Sequence, residues 1–266
     1  MSATSLTVRH LKEMKAEGRK ISVLTSYDAS MTRLIEEAGV EVLLVGDSLG
    51  NVVQGRESTL PVTLDEMIYH TSNVARVRRR ALLVADMPFM SYRTPELALE
   101  SAGRLMKEGG AHMVKLEGGA VQLEVIRRIT DQGIPVCGHL GLTPQSVHKL
   151  GGYRVQGREA DRAKAILKDA LALQAAGIDL LVLECIPAGL AAEITAALEV
   201  PVIGIGAGVS CDGQVLVVYD MLGMNPNPPR FVKDFLASGG SILQAFKDYV
   251  TEVRDGRFPA QQQSFE

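Results

Sequence analysis

Cysteine is scarce in this 266-residue sequence. Cys137, Cys185 and Cys211 show neither paired spacing nor a CxxC, and two of them lie inside apolar runs. That excludes a disulfide frame and points to buried thiols in a reducing compartment. Long hydrophobic runs are also missing: none approaches the ~18 residues that would span a bilayer. The N-terminal region carries Glu13 and Glu17 where a signal peptide would need an uninterrupted apolar core. The expectation is a soluble, cytoplasmic protein with no membrane partner. Neither charge is in excess, because 28 basic and 31 acidic residues are intermixed to a net −3. Such a surface has no electrostatic footprint for nucleic acid, so the expected partner is a small molecule. No composition shift or flexible linker interrupts the chain, and residues 1–266 read as a single domain.

What is present is a cadence of short apolar runs. Strand candidates fall at Ile21–Asp28, Val42–Val45, Ala81–Asp86, His112–Glu117, Ile134–His139, Leu180–Glu184, Pro201–Gly206 and Gln214–Tyr219. Helical patterns lie between most of them, and Gly39, Gly110, Gly133 and Gly177 are placed to end those helices. Thr63 with Glu66 forms a capping box, while Thr94-Pro95 and Thr143-Pro144 put a cap residue before a proline suited to the first turn. Eight mostly apolar strands alternating with helices predict an α/β fold, a closed (β/α)8 TIM barrel in preference to an open doubly wound sheet. The seventh unit is irregular, since Val209–Gly213 is too short for a full helix. An amphipathic helix over Ser5–Glu17 precedes the barrel. Helices at Arg230–Ala237 and Ser241–Arg254 extend it and could pack on the barrel or on another subunit.

The ends of these strands are polar. Residues two apart in a strand face the same way, so Asp86 goes with Val84, Glu117 with Lys115, and Glu184 with Val182. The set predicted to converge at the barrel mouth is Asp47, Ser48, Asp86, Lys115, Glu117, His139 and Glu184. Taken singly, each has a plain structural reading. An aspartate at a strand end commonly caps the next helix, Lys115 and Glu117 can form an internal ion pair, and His139 can simply bond within the core. Convergence favours chemistry, because carboxylates gathered at one mouth repel one another unless a cation is present. Asp47, Asp86 and Glu117 are hard oxygen ligands with no His or Cys cluster, which suits Mg²⁺ better than Zn²⁺. Glu184, after a strongly apolar strand, is placed as a general base, and Lys115 to hold a carboxylate or an oxyanion. A metal that polarises a carbonyl beside a base is equipped to make an enolate.

Two connections exceed ordinary βα loops, Leu49–Val62 and Gly141–Glu159. Each contains the pentapeptide VQGRE, at 53–57 and 155–159, and both are expected to act as paired lids over one site. Gly204-Ile-Gly-Ala-Gly208 follows the seventh strand, where many barrels bind phosphate, but it lacks a Lys or Arg and the GxGxxG spacing. Close backbone packing is the other reading of those glycines.

As a set, VGDSLG (45–50), STLPVT (58–63), ADMPFMSY (85–92), MVKLEGG (113–119), VCGHLGLTPQSV (136–147), GGYRVQGR (151–158), LVLEC (181–185) and PVIGIGAG (201–208) closely resemble the ketopantoate hydroxymethyltransferase family. The likeness runs from about Leu11 to the terminal SFE. It implies a Mg²⁺-dependent barrel that transfers a hydroxymethyl group from 5,10-methylenetetrahydrofolate to 3-methyl-2-oxobutanoate in pantothenate synthesis, commonly as a homodecamer. It also implies a metal held through Asp47 and Asp86 with Glu117 nearby, often through water. Ser48, Asp86 and Lys115, with Asp47 and His139, would face the 2-oxo acid, and Glu184 would accept the proton. Residues for the folate are not implied, and Asn225-Pro-Asn-Pro-Pro229 has no clear counterpart. Two other readings stand beside this one: a lyase or mutase of the phosphoenolpyruvate mutase/isocitrate lyase group, and a non-catalytic 2-oxo-acid-binding barrel. The first is disfavoured because Glu117 runs through two glycines straight toward a helix, without a cysteine-bearing loop.

Overall fold

The computed structural model describes residues 5–266; the first four residues of the expected 1–266 domain lie outside that range. Eight parallel strands close into a barrel in sequence order, β1 (Ile21–Thr25), β2 (Val42–Val45), β3 (Leu82–Asp86), β4 (Met113–Glu117), β5 (Val136–Gly141), β6 (Leu180–Glu184), β7 (Val202–Ile205) and β8 (Gly213–Leu216), with β8 pairing back onto β1. The strands are buried almost throughout, as parallel strands covered on both faces must be. The predicted (β/α)8 architecture is the one observed. Among the described residues, no helix is long and apolar enough to cross a membrane.

The helices follow the strands around the outside: α1 (Val8–Ala16), α2 (Ala29–Ala38), α3 (Leu49–Val52), α4 (Leu64–Ala75), α5 (Pro95–Lys107), α6 (Leu123–Thr130), α7 (Val147–Leu150), α8 (Ala160–Ala175), α9 (Ala188–Ala197), α10 (Val218–Met221), α11 (Leu236–Gly239) and α12 (Ile242–Arg254). Their starts are written in the sequence. Thr63 accepts from the Glu66 amide while Glu66 reaches back to the Thr63 amide, and Thr94 caps α5 ahead of Pro95.

Three expectations need correction. The eighth strand ends at Leu216, because the Val218 amide is taken by the Thr25 hydroxyl at 2.9 Å and the chain turns into α10. The helix expected over Arg230–Ala237 is only α11, since Pro228 and Pro229 precede it and the Asp234 carboxylate accepts from the Leu236 and Ala237 amides. The long connections are not bare loops: α3 opens the first, and a 3₁₀ turn at Pro144–Ser146 with α7 occupies the second.

The end of the barrel opposite the strand C-termini is held by paired charges. Lys15 of α1 donates to Asp212 at 2.7 Å and to the carbonyls of Thr195 and Val200, while Asp212 also accepts from the Val202 amide. Glu41, fully buried, accepts from the Ser22 amide and hydroxyl and pairs with Arg254 of α12. The buried Tyr249 hydroxyl lies 2.9 and 2.8 Å from the carbonyls of Val23 and Gln214, across the seam where β1 meets β8. At that seam Gly213 has no substitute, because a Cβ there would stand 2.2 Å from the Ile21 carbonyl oxygen.

Candidate active site

Strand pairing decides which side chains meet. Asp86 is level with Lys115, Lys115 with Cys137, and Glu117 with His139. Val84, Lys115, Cys137 and Val182 face the closed apolar interior of the barrel. Two residues further along the same strands, Asp86, Glu117, His139 and Glu184 face a cavity of about 580 Å³ at the mouth. Asp47 and Ser48, from the turn after β2, join them, so all seven predicted residues line one cavity.

One cluster forms around Lys115. Its ammonium donates to Asp86 Oδ1 at 2.7 Å, with both side chains nearly buried, and Asp86 Oδ2 accepts from the Asp47 amide at 3.0 Å. Lys115 therefore pairs across the sheet with Asp86, and not along its own strand with Glu117, while Asp86 caps no helix. Burial opposes the charge on Lys115, but Asp86, Glu117 and Asp47 outweigh it and hold the amine well above its usual pKa. The Asp47 carboxyl is pushed up to about 8, first by burial and then by Asp86 and Glu117, against the pull of Lys115 and Gln145. Ser48 shares a 2.8 Å hydrogen bond with the Tyr27 hydroxyl.

A second cluster is strung along β4, β5 and β6. His139 lies between two carboxylates, with Nδ1 3.4 Å from Glu117 and Nε2 3.1 Å from Glu184. These are close charge contacts without the alignment of full hydrogen bonds. Burial and Lys115 work against a charged ring, yet Glu117 and Glu184 outweigh them and push His139 up to about 9. Glu184 keeps some exposure to the cavity. The next residue, Cys185, has a left-handed backbone, φ 48°, rare for a residue with a side chain and typical of functional sites. Its carbonyl accepts from the Gln156 amide at 2.8 Å, which ties the second long loop to the tip of β6.

Gln145 connects the two clusters, and the pattern of strand tips does not reveal it. Its side-chain amide donates to Asp47 Oδ2 at 2.8 Å and to the Met87 carbonyl at 3.0 Å, its backbone amide donates to Glu117 Oε2 at 3.0 Å, and its side-chain oxygen accepts from the buried Tyr92 hydroxyl. The residue sits in a 3₁₀ turn where no periodicity operates. Its signals in the sequence are the unusual length of its loop and its place within VCGHLGLTPQSV, 136–147.

Both long loops reach the cavity, the first through Val52, Glu57 and Thr59 and the second through Tyr153, Arg154 and Val155. Their shared pentapeptide makes different contacts. Arg56 pairs with Glu66 and the Pro61 carbonyl, whereas Gly157 is packed tightly against Leu190 and Ile166. The glycines after β7 serve packing: Gly206, at φ 60°, lies where a Cβ would stand 2.9 Å from Phe231 and 3.0 Å from Phe265.

The donor chemistry suits a hard divalent cation. Among the described residues, the carboxylates of Asp47, Glu57, Asp86, Glu117, Glu184 and Asp220 line the cavity against Lys115, His139, Arg154 and Arg230, and the crowding of acids at Asp47 is reflected in its carboxyl being raised to about 8. Among the described residues, no three His, Cys, Asp or Glu side chains stand as a preformed cage. A cation here would take few protein ligands and several waters, the habit of Mg²⁺.

Residues 5–261 match the family described as Ketopantoate hydroxymethyltransferase. The 3-methyl-2-oxobutanoate hydroxymethyltransferase of Halorhodospira halophila (strain DSM 244 / SL1) is 58% identical over 265 residues, covering 100% of this chain and 96% of the relative. That of Methylococcus capsulatus (strain ATCC 33009 / NCIMB 11132 / Bath) is 58% identical over 260 residues, 98% and 97% of the two chains. Among solved structures, a putative phosphonomutase from Burkholderia cenocepacia J2315 superposes with TM-score 0.64 at 16% identity, covering 81% of this chain and 94% of that one. A 2,3-dimethylmalate lyase of the PEP mutase/isocitrate lyase superfamily gives TM-score 0.60 at 17% identity, over 81% and 82%. These structural likenesses concern the fold alone.

Proposed function

The chain belongs to the ketopantoate hydroxymethyltransferase family, and from that premise we propose that it transfers a hydroxymethyl group from 5,10-methylenetetrahydrofolate to 3-methyl-2-oxobutanoate, giving 2-dehydropantoate and tetrahydrofolate in pantothenate synthesis. The observation that carries this reading is Glu184 beside a buried His139, across one cavity from the Lys115–Asp86 pair. A base and an anion-holding cation are what an enolate requires.

Asp47 and Asp86, with Glu117 directly or through water, would hold Mg²⁺, which supplies Lewis-acid polarisation of the keto oxygen. Lys115 and Ser48 orient the 2-oxo acid so that its branched carbon faces Glu184. Glu184 takes the proton from that carbon, with its carboxylate positioned by His139, whose Nε2 lies 3.1 Å away. Lys115 faces the negative charge that develops on oxygen. The carbon then bonds to the methylene carbon of the folate, both C–N bonds of that bridge break, and water supplies the hydroxyl. The two folate nitrogens take up the proton removed by Glu184 and one from water. Closure of the loops at 49–62 and 141–159 would keep bulk solvent from the enolate. We also propose a homo-oligomer, commonly a decamer in this family. Exposed apolar side chains such as Phe89, Met90 and Val121 support it.

The test is formation of 2-dehydropantoate from the two substrates with and without Mg²⁺, together with solvent deuterium exchange at the branched carbon in the absence of folate. Glu184→Gln should lower exchange by ~10²- to 10⁴-fold. Exchange at the parent rate in that variant would remove Glu184 as the base, and absence of product under every condition would overturn the reaction itself.

A further inference from the structure

The two clusters described above occupy only one side of the cavity. The other side is built by the end of β8, by α10, by the Asn225–Pro229 segment and by the C-terminal residues folding back over the mouth. A cavity of about 580 Å³ falls in the range that holds drug-sized ligands, far more than a small branched 2-oxo acid fills.

That second side has a definite chemistry. Asp220 is buried, and its Oδ1 accepts from the Asn225 side-chain amide at 3.0 Å. The Asn225 side chain is itself held, since its oxygen accepts from the Asn227 amide at 3.0 Å. Among the described residues, Asp220 Oδ2 has no hydrogen-bond partner, and the carboxylate faces the cavity. The aromatic side chains of Phe231 and Phe265 both approach Gly206 and give this side an apolar lining. At the rim, the Arg230 guanidinium lies 5.6 Å from the centre of the Phe265 ring, with its Nε donated to the Gln262 carbonyl. An oriented carboxylate, an apolar wall and a cation at the rim together fit a flat heterocycle that offers two adjacent N–H donors and carries an anionic tail.

We propose that this half of the cavity is the pterin subsite, in which Asp220 accepts from the ring N–H and exocyclic amine of the 2-amino-4-oxopyrimidine edge, Phe231 and Phe265 pack against the ring, and Arg230 faces the p-aminobenzoylglutamate tail. The assignment rests on the proposed folate-dependent reaction. It also accounts for the Asn225-Pro-Asn-Pro-Pro229 segment, whose first residue fixes the rotamer of Asp220 and whose prolines restrict the backbone that carries it.

The experiment measures binding of tetrahydrofolate, and of its 2-desamino-2-methyl analogue, to the full-length parent and to Asp220→Asn, with steady-state KM values for both substrates. The parent should bind tetrahydrofolate ~10- to 100-fold more tightly than the analogue, the effect of hydrogen bonds to a charged acceptor. In Asp220→Asn that preference should collapse and the KM for methylenetetrahydrofolate rise by a similar factor, with the KM for 3-methyl-2-oxobutanoate changed less than about threefold. Asn225→Ala, which leaves the carboxylate but frees its rotamer, should show the same split more weakly. Folate-independent deuterium exchange in both variants reports whether the barrel has folded. Equal tetrahydrofolate binding by the parent and Asp220→Asn would overturn the subsite alone, as would a rise confined to the 2-oxo acid KM. A parent that binds no tetrahydrofolate would overturn the subsite and the proposed reaction together.

Discussion

Replacing Lys115 with methionine tests how the mouth of the barrel is held together. The substitution keeps an unbranched chain of similar length but removes the cation that donates to Asp86 at 2.7 Å in a nearly dry setting. Asp86 then faces Asp47 and Glu117 without its counter-charge, which is the situation in which breaking a buried pair costs about 3–5 kcal/mol. At roughly 2–4 °C per kcal/mol for a chain of this size, Lys115→Met should melt ~6–20 °C below the parent when metal-free. The double variant Lys115→Met/Asp86→Asn removes one charge of each sign and leaves the net charge of the mouth as it was. It should recover about 2 kcal/mol or more relative to Lys115→Met alone, because neutral replacement of a buried pair is often nearly neutral. Urea denaturation at fixed protein concentration and pH 7 in chelator gives both differences. A single variant within about 1 kcal/mol of the parent, or a double variant no better than the single, would refute the claim that Lys115 balances these carboxylates.

Two further outcomes follow from the same site. Asp47, raised to about 8, is protonated in the folded chain and ionised in the unfolded one between about pH 4 and 8, and His139, raised to about 9, adds stability that is lost as pH rises from about 6.5 to 9. Metal-free stability should therefore fall as pH rises through these windows. Mg²⁺ held there as proposed would compete with the Asp47 proton, so it should raise the melting temperature more at pH 8 than at pH 5.5; an equal or larger gain at pH 5.5 in a thermal melt would contradict this. Gln145→Leu leaves the Tyr92 hydroxyl and one oxygen of Asp47 without partners, and should destabilise by about 1–3 kcal/mol per orphaned group while raising the KM for the 2-oxo acid. A urea midpoint indistinguishable from the parent would show those groups are satisfied otherwise.

Strand tips were legible in the sequence for a simple reason. Period-two alternation fixes which side chains share a face, so Val84 with Asp86, Lys115 with Glu117 and Val182 with Glu184 could be paired on paper, and each pair does face the barrel interior or its mouth. Pairing between strands was not legible. Nothing local says that Lys115 meets Asp86 and not Glu117, because that depends on the register of β3 against β4. Gln145 and Asp220 escaped for a further reason. Both lie in short turns after strands, where direction is set by long-range bonds: Gln145 to Glu117 for the first, Val218 to Thr25 for the second. The apolar run that suggested a strand through Tyr219 concealed the turn that aims Asp220 at the cavity.

Along the barrel axis the buried acids are treated in two ways. At the lower end each acid has its own base, Asp212 with Lys15 and Glu41 with Arg254, and each is additionally bonded to a strand amide. At the upper end the acids outnumber the bases. The two rims of one sheet are thus separable targets for protein engineering. Substitutions that strengthen the lower rim can raise thermal tolerance without touching turnover, whereas filling the charge deficit at the upper rim with an added lysine would harden the protein by occupying the place its chemistry requires.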